Sequence, residues 1–126
     1  MLFLTRVIFI FLAGTCFAAA APAQEFFVSP AGDDANPGTK AKPFSTLAHV
    51  RDAVRIVNQK MSGDTVVNLR GKNYCVTQPL EFGTEDSGRN GFNVVYRAYK
   101  NETPIISSGV SAKNWTRDHG RIYSAK

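Results

Sequence analysis

Apolar residues downstream of residue 23 follow two different spacings, and the switch between them divides the chain. Phe26-Phe27-Val28 is a short apolar run closed by Ser29-Pro30, which predicts a strand. Residues 31–43 are polar and rich in Gly, Pro and Asp, which predicts a loop, with Pro37-Gly38 suited to the centre of a type II turn. Beyond Ser45 and Thr46, either of which can act as N-cap, Leu47, Val50, Ala53, Val54, Val57 and Met61 recur at helical spacing. They gather on one stripe, with Arg51, Asp52, Arg55, Asn58 and Gln59 opposite. This predicts an amphipathic helix ending near Ser62-Gly63, with Gly63 in a left-handed C-terminal position. Leu47, Val50, Val54 and Val57 are expected to be buried, and Arg51 and Arg55 to be solvated.

After the helix the pattern changes to short strands, predicted over residues 65–69, 74–76, 80–82, 92–99 and 104–109. Strands this short, separated by tight turns, do not each cross a sandwich comfortably. They suit a solenoid that turns through two or three strands per coil, and residues 64–108 supply about two coils at the usual repeat length. No clean internal sequence repeat accompanies the spacing. A terminal coil exposes the apolar stack that inner coils hide, so it requires a lid, and the amphipathic helix directly before the strands is placed to supply one.

The first residues read differently. Arg6 precedes an apolar run, and Ala21-Pro22-Ala23 offers a small-residue cleavage site, so residues 1–23 are expected to be a secretory signal peptide. Cys16 falls inside that segment, which leaves Cys75 alone in the mature chain. A disulfide scaffold and a Cys-x-x-Cys site are thereby excluded, and Cys75 is read as a small core residue. The full sequence of 126 residues has 44% hydrophobic and 20% charged residues and a net charge of +5. That is a globular balance rather than that of a disordered tail. The basic residues are scattered singly among acids with no interleaved aromatic stripe, so nucleic acid is not the expected partner. The charge reads as a solvated surface, with an acidic polymer as second choice.

Candidate chemistry is sparse. Asp33-Asp34-Ala35-Asn36-Pro37-Gly38 clusters oxygen ligands as calcium requires, but it departs from the EF-hand pattern, and Asx-turns account for it more simply. His49 and Asp52 lie on or beside the helix's polar face without a nucleophile nearby. Glu81, Glu85 and Asp86 are the carboxylates closest to a glycoside-hydrolase pair, and Asp86-Ser87-Gly88 is also ordinary turn chemistry. A lyase needs a Lys or Arg base, for which Arg70, Lys72, Arg89 and Arg97 are available with no spacing that singles one out. Trp115 suits a sugar-stacking platform or coil packing. No catalytic, cofactor-binding or metal residue is assigned, and the sequence leaves any cofactor or metal unknown.

Four stretches together resemble a known family. They are Phe27-Val28-Ser29-Pro30-Ala31-Gly32-Asp33-Asp34-Ala35-Asn36-Pro37-Gly38-Thr39, then Lys42-Pro43-Phe44-Ser45-Thr46-Leu47, and Gly63-Asp64-Thr65-Val66-Val67 with Glu85-Asp86-Ser87-Gly88 beyond. They are similar to the amino-terminal end of secreted right-handed parallel β-helix proteins of the pectate-lyase-like superfamily, which contains polysaccharide lyases and glycoside hydrolases. Pro104-Ile105-Ile106-Ser107-Ser108-Gly109, Asn114-Trp115 and Arg121-Ile122-Tyr123-Ser124-Ala125 resemble the continuation after the first coils. The resemblance implies a mainly β fold, the start of a right-handed parallel β-helix with an N-terminal capping helix, in an incomplete or truncated product. The expected organisation is a signal peptide over 1–23, a leading strand and polar loop over 24–43, and the capping helix with the first coils over 44–126. The implied function is the capping portion of an extracellular carbohydrate-active protein, secreted or periplasmic, with polysaccharide as partner and no stable membrane insertion after signal cleavage. A noncatalytic β-helix adhesin or carbohydrate-binding surface protein is the alternative. Oligomeric state is not legible in the sequence.

Overall fold

The computed structural model describes residues 23–109 and 112–125, so the signal-peptide segment lies outside the described residues apart from Ala23. Strands β1 (Gln24–Val28), β2 (Thr65–Leu69) and β4 (Val94–Ala98) form one parallel sheet in that spatial order. Phe26 aligns with Val67 and Val67 with Tyr96; one row further, Val28, Leu69 and Ala98 align. Strands β3 (Asn73–Cys75) and β5 (Ile105–Ser107) make a second parallel pair, with Tyr74 opposite Ile106. The chain thus passes through the first sheet, then the second, and each return lies parallel beside its previous pass. Short β6 (Thr116–Arg117) and β7 (Tyr123–Ser124) form an antiparallel ribbon. The fold is mainly β, with short sheets and one α-helix, α1 (Leu47–Asn58).

Period-two alternation decides which strand residues enter the core. Phe26, Val28, Val67 and Leu69 project from one face of the first sheet and meet Leu47, Val50 and Val54 of α1, with Phe44 and Tyr74 completing the cluster. Val28, Val50, Val54 and Val67 are wholly buried. The free edge of β1 is covered by the loop that follows it: Phe27 donates its amide to Gly38, and Phe44 and Phe27 pair across the strand at 3.0 Å. Gly38 takes a φ of +73° directly against the Phe44 ring, where a Cβ has no room.

The start of α1 is built from the preceding loop. Asp34 accepts the amides of Ser45 and Thr46 at 2.8 and 2.9 Å and the Thr46 hydroxyl at 2.7 Å, while Thr46 Oγ1 accepts the His49 amide as N-cap. Burial pushes the Asp34 pKa up, but the hydrogen bonds from Thr46 and Ser45 outweigh it and hold the carboxyl below its ordinary value.

Four expectations need correction. The helix stops at Asn58 with Gln59 as a right-handed C-cap, several residues before Gly63, which does not take a positive φ. Residues 80–82 are not a strand: Pro79 removes a ladder donor, and the Glu81 carbonyl instead accepts Arg51 Nη1 at 3.2 Å. Cys75 is exposed rather than in the core, because β3 turns Tyr74 inward and therefore Cys75 outward; its thiol donates to the Gly109 carbonyl at 3.2 Å. The polar side of α1 is not uniformly solvated either. The segment returning from β3 to β4 crosses it, so the Arg51 and Arg55 side chains, expected to be solvated, are only 16% and 29% exposed, and Asn58 is buried.

Candidate functional site

That crossing segment is fixed to the helix by a compact polar knot. It contains a single turn of 3-10 helix, Thr84–Asp86, whose Asp86 is buried and accepts the Gly83 amide at 2.7 Å. Arg55 grips the same carboxylate in a fork, Nε to Oδ1 at 2.7 Å and Nη2 to Oδ2 at 2.8 Å, and also lies 3.2 Å from Glu85 Oε1. The Arg55 hydrogen bond is the main cause holding Asp86 below the ordinary carboxylate range. Wholly buried Asn58 donates to the carbonyls of Glu85 and Ser87 at 3.3 and 3.1 Å. Glu85 and Asp86 thus both serve Arg55 on one short turn. They are not the two separated carboxyl groups, flanking a sugar, that glycoside hydrolysis requires.

Beside the knot a cavity of about 640 Å³ opens between the two sheets. Leu69, Leu80, Phe82, Val94, Tyr96 and Ile106 supply its apolar wall, and Asp86 touches its rim. Phe82 meets Tyr96 edge-on at 5.5 Å, and the buried Tyr96 hydroxyl has no hydrogen-bond partner among the described residues. Burial raises the Tyr96 phenol to about 12. The cavity lies where strands β4 and β5 each present an edge unpaired among the described residues. Its chemistry is that of core space.

The opposite face of the first sheet is different. Alternation places Glu25, Val66 and Val95 in one row and Phe27, Asn68 and Arg97 in the next, away from the core cluster, although Phe27, Val66 and Asn68 are themselves buried on this face. Arg70 and Tyr99 continue the same parity just past the strand ends. Arg97 donates Nε to Asn68 Oδ1 at 3.0 Å and reaches Glu25 at 3.5 Å. Arg70 pairs with Glu102 at 2.9 Å, and Glu102 also accepts the Gly71 amide, contacts that hold its pKa below the usual value. Tyr99 packs edge-on against Phe27 at 5.4 Å. Three cations surround its ring: Arg70 Cζ at 5.2 Å, Lys100 Nζ at 5.4 Å and Lys40 Nζ at 5.5 Å from the centroid. Lys40 beside the phenol, together with the charge of Lys100, lowers the Tyr99 pKa and outweighs the opposing effect of burial. This end of the face carries positive charge around a half-buried aromatic ring, an arrangement suited to a polar ligand with an anionic group.

The other sequence candidates are scattered. Asp33 Oδ1 accepts the Ala35 amide at 2.9 Å in an Asx-turn, and Asn36 donates to Pro43 O at 3.0 Å, so these groups tie the loop. Among the described residues no group of three or more His, Cys, Asp or Glu is placed to hold a metal ion. His49 packs on Phe44 at 4.8 Å, and Asp52 pairs with Arg51 at 2.8 Å. Lys72 and Arg89 are exposed and away from the Tyr99 group's ring contacts. Trp115 is exposed, its indole N–H donating to Ala112 O at 3.1 Å.

No known protein-family profile matches the chain. It is 39% identical over 88 residues to the uncharacterized protein YwoF of Bacillus subtilis (strain 168), a match covering 70% of this chain and 16% of that protein. Among solved structures it is similar to a glycoside hydrolase, with 26% identity and a TM-score of 0.69 over 75% of this chain and 16% of the other. A structure of XylC in complex with xylose is similar in fold, with 18% identity and a TM-score of 0.55 over 79% of this chain and 14% of the other. The chain is related to carbohydrate-active proteins. It spans about a sixth of the YwoF relative's length and of the matched glycoside hydrolase.

Sequence reasoning selected Arg70 and Arg97 only as members of a wider set and missed Tyr99, Lys40 and Lys100. Strand parity beyond residue 98 contained the signal for Tyr99. Nothing local pointed to Lys40, which reaches the ring from the loop along the β1 edge.

Proposed function

We propose that this chain forms the amino-terminal capping portion of an extracellular carbohydrate-active protein, built as the opening coils of a right-handed parallel β-helix of the pectate-lyase-like kind and exported by residues 1–23. The observation that carries the reading is the repeated parallel register, β1 with β2 with β4 in one sheet and β3 with β5 in the other. Successive returns are about thirty to forty residues apart, within the range of solenoid repeats, and parallel crossovers are almost always right-handed. The likeness to a glycoside hydrolase supports the carbohydrate assignment. In this reading α1 is the lid, the apolar cavity is the stack surface awaiting the next coil, and the outward face is turned to polysaccharide. The capping portion by itself does not turn substrate over, because Glu85 and Asp86 are committed to Arg55.

Two arms test this. The chain alone, incubated with polygalacturonate, alginate and neutral plant glycans with and without calcium, should release no unsaturated products or reducing ends. A chimera in which this chain replaces the matched segment of the solved glycoside hydrolase should fold and retain that enzyme's turnover. Product formation by the chain alone, lost on Glu85→Gln or Asp86→Asn, would instead make that turn an active site, and a chimera that unfolds would contradict the capping role.

A further inference from the structure

We propose that Lys40, Arg70, Tyr99 and Lys100 form a subsite for a sugar unit carrying an anionic group, with the Tyr99 ring receiving the pyranose and the two lysines its charge. This rests on the carbohydrate-active reading and adds to it a place and a ligand class.

The charge count at the group is unbalanced. Of the three cations at 5.2–5.5 Å from the Tyr99 centroid, only Arg70 has a carboxylate, Glu102, within ion-pair distance among the described residues. Glu102 is itself bound by both Arg70 Nε and the Gly71 amide, so it is spent in fixing the guanidinium against the ring. Lys40 and Lys100 are exposed and lie beside the π system. An ammonium on an aromatic face gains less than one paired with an anion, so an incoming carboxylate or sulfate can draw both lysines off the ring and uncover it. The uncovered face then suits the apolar side of a pyranose, and Phe27, packed edge-on behind Tyr99, keeps that ring upright.

The backbone is built to hold this arrangement. Lys100 has a φ of +51°, a left-handed conformation that a lysine seldom adopts. It is held there by a turn in which the Glu102 amide donates to Tyr99 O at 3.0 Å, immediately after Tyr99 donates its own amide to Leu69 O at 2.8 Å. Glycine or asparagine would suit the conformation better, so the turn retains a cation at a strained position where the side chain meets the ring.

Titration calorimetry on the full chain, at low and at moderate salt, tests the subsite. The probes are a galacturonate oligomer, a sulfated dextran oligomer and a neutral xylan oligomer. The charged probe that fits should bind, and the paired substitution Lys40→Gln with Lys100→Gln should weaken it about tenfold or more while leaving thermal unfolding unchanged. Tyr99→Leu should weaken it further. Preference for galacturonate assigns a carboxylated sugar and preference for sulfated dextran a sulfated one. Charged-probe affinity equal in parent and lysine variant, or neutral xylan bound as tightly as the charged probes, overturns the subsite and leaves the carbohydrate reading standing. No binding of any glycan by the folded chain overturns both.

Discussion

Val54 is the sharpest probe of how α1 meets the sheet. Its side chain is wholly buried, in one cluster with Val28, Val50, Val67 and Leu69, whereas Ile56, two positions on, is 72% exposed. Val54→Ala removes two methyl groups, worth roughly 1.5 kcal/mol of transfer free energy. The cavity left behind brings the loss to about 2–3 kcal/mol. Urea unfolding followed by circular dichroism should then show the midpoint falling by roughly 1–2 M at unchanged slope, given ordinary m-values for a chain of this size. Val54→Thr keeps the shape and buries a hydroxyl whose available acceptor is a carbonyl already bonded within the helix, which costs about 1–3 kcal/mol. Val54→Asp places an unpaired charge in the core at a cost comparable with the whole stability of a small domain, roughly 5 kcal/mol or more, and should abolish folding. The proper surface control is Ile56→Asp, expected to move stability by no more than about 0.5 kcal/mol. Arg55 is unsuitable as a control because it holds Asp86. If Val54→Ala and Ile56→Ala shifted the midpoint equally, the helix would not be seated on the sheet as described.

Asp86→Asn tests the polar knot through pH. The folded-state pKa of Asp86 lies below the ordinary 3.8, so the ion pair's contribution is present above that value and is lost as pH falls through the lowered one. Asp34 and Glu102 titrate in the same direction, so the substitution should reduce, without abolishing, the acid fall in a series of melting temperatures against pH. Spectrophotometric titration should find Tyr74 and Tyr96 ionising at about 12, chiefly because burial disfavours the phenolate, and Tyr99 below the ordinary 10.0. Stability from keeping Tyr74 and Tyr96 neutral is therefore complete below 10.0 and is lost as pH rises through about 12. Mass spectrometry of exported protein should find Gln24 at the amino terminus, and recovery of an uncleaved, membrane-bound form would refute the signal reading.

Period alone located most of the elements. The helical stripe from Leu47 to Val54 is readable because the helix buries the face its spacing marks, and the strand at Thr65–Leu69 because a short β-branched run bounded by turns suits a central strand buried on both faces. The errors arose where a neighbour distant in sequence changed what a position faces. Arg55 and Asn58 occupy the helix's polar side, yet the segment carrying Thr84–Asp86 turns that side into an interior. Cys75 was misjudged by residue type when the alternation around Tyr74 already sent it outward. The Tyr99 group gathers a loop lysine, a strand-end arginine and a turn lysine from three parts of the chain, and only the parallel register brings them together.

Which surface meets sugar is measured most directly by amide chemical-shift mapping on the full, isotope-labelled chain. On titration with the oligosaccharide that binds in calorimetry, shifts should concentrate at Lys40, Arg70, Arg97, Tyr99 and Lys100, with Leu80, Phe82 and Tyr96 around the cavity unmoved. Shifts confined to the cavity residues, or none at saturating glycan with the fold intact, would contradict that placement.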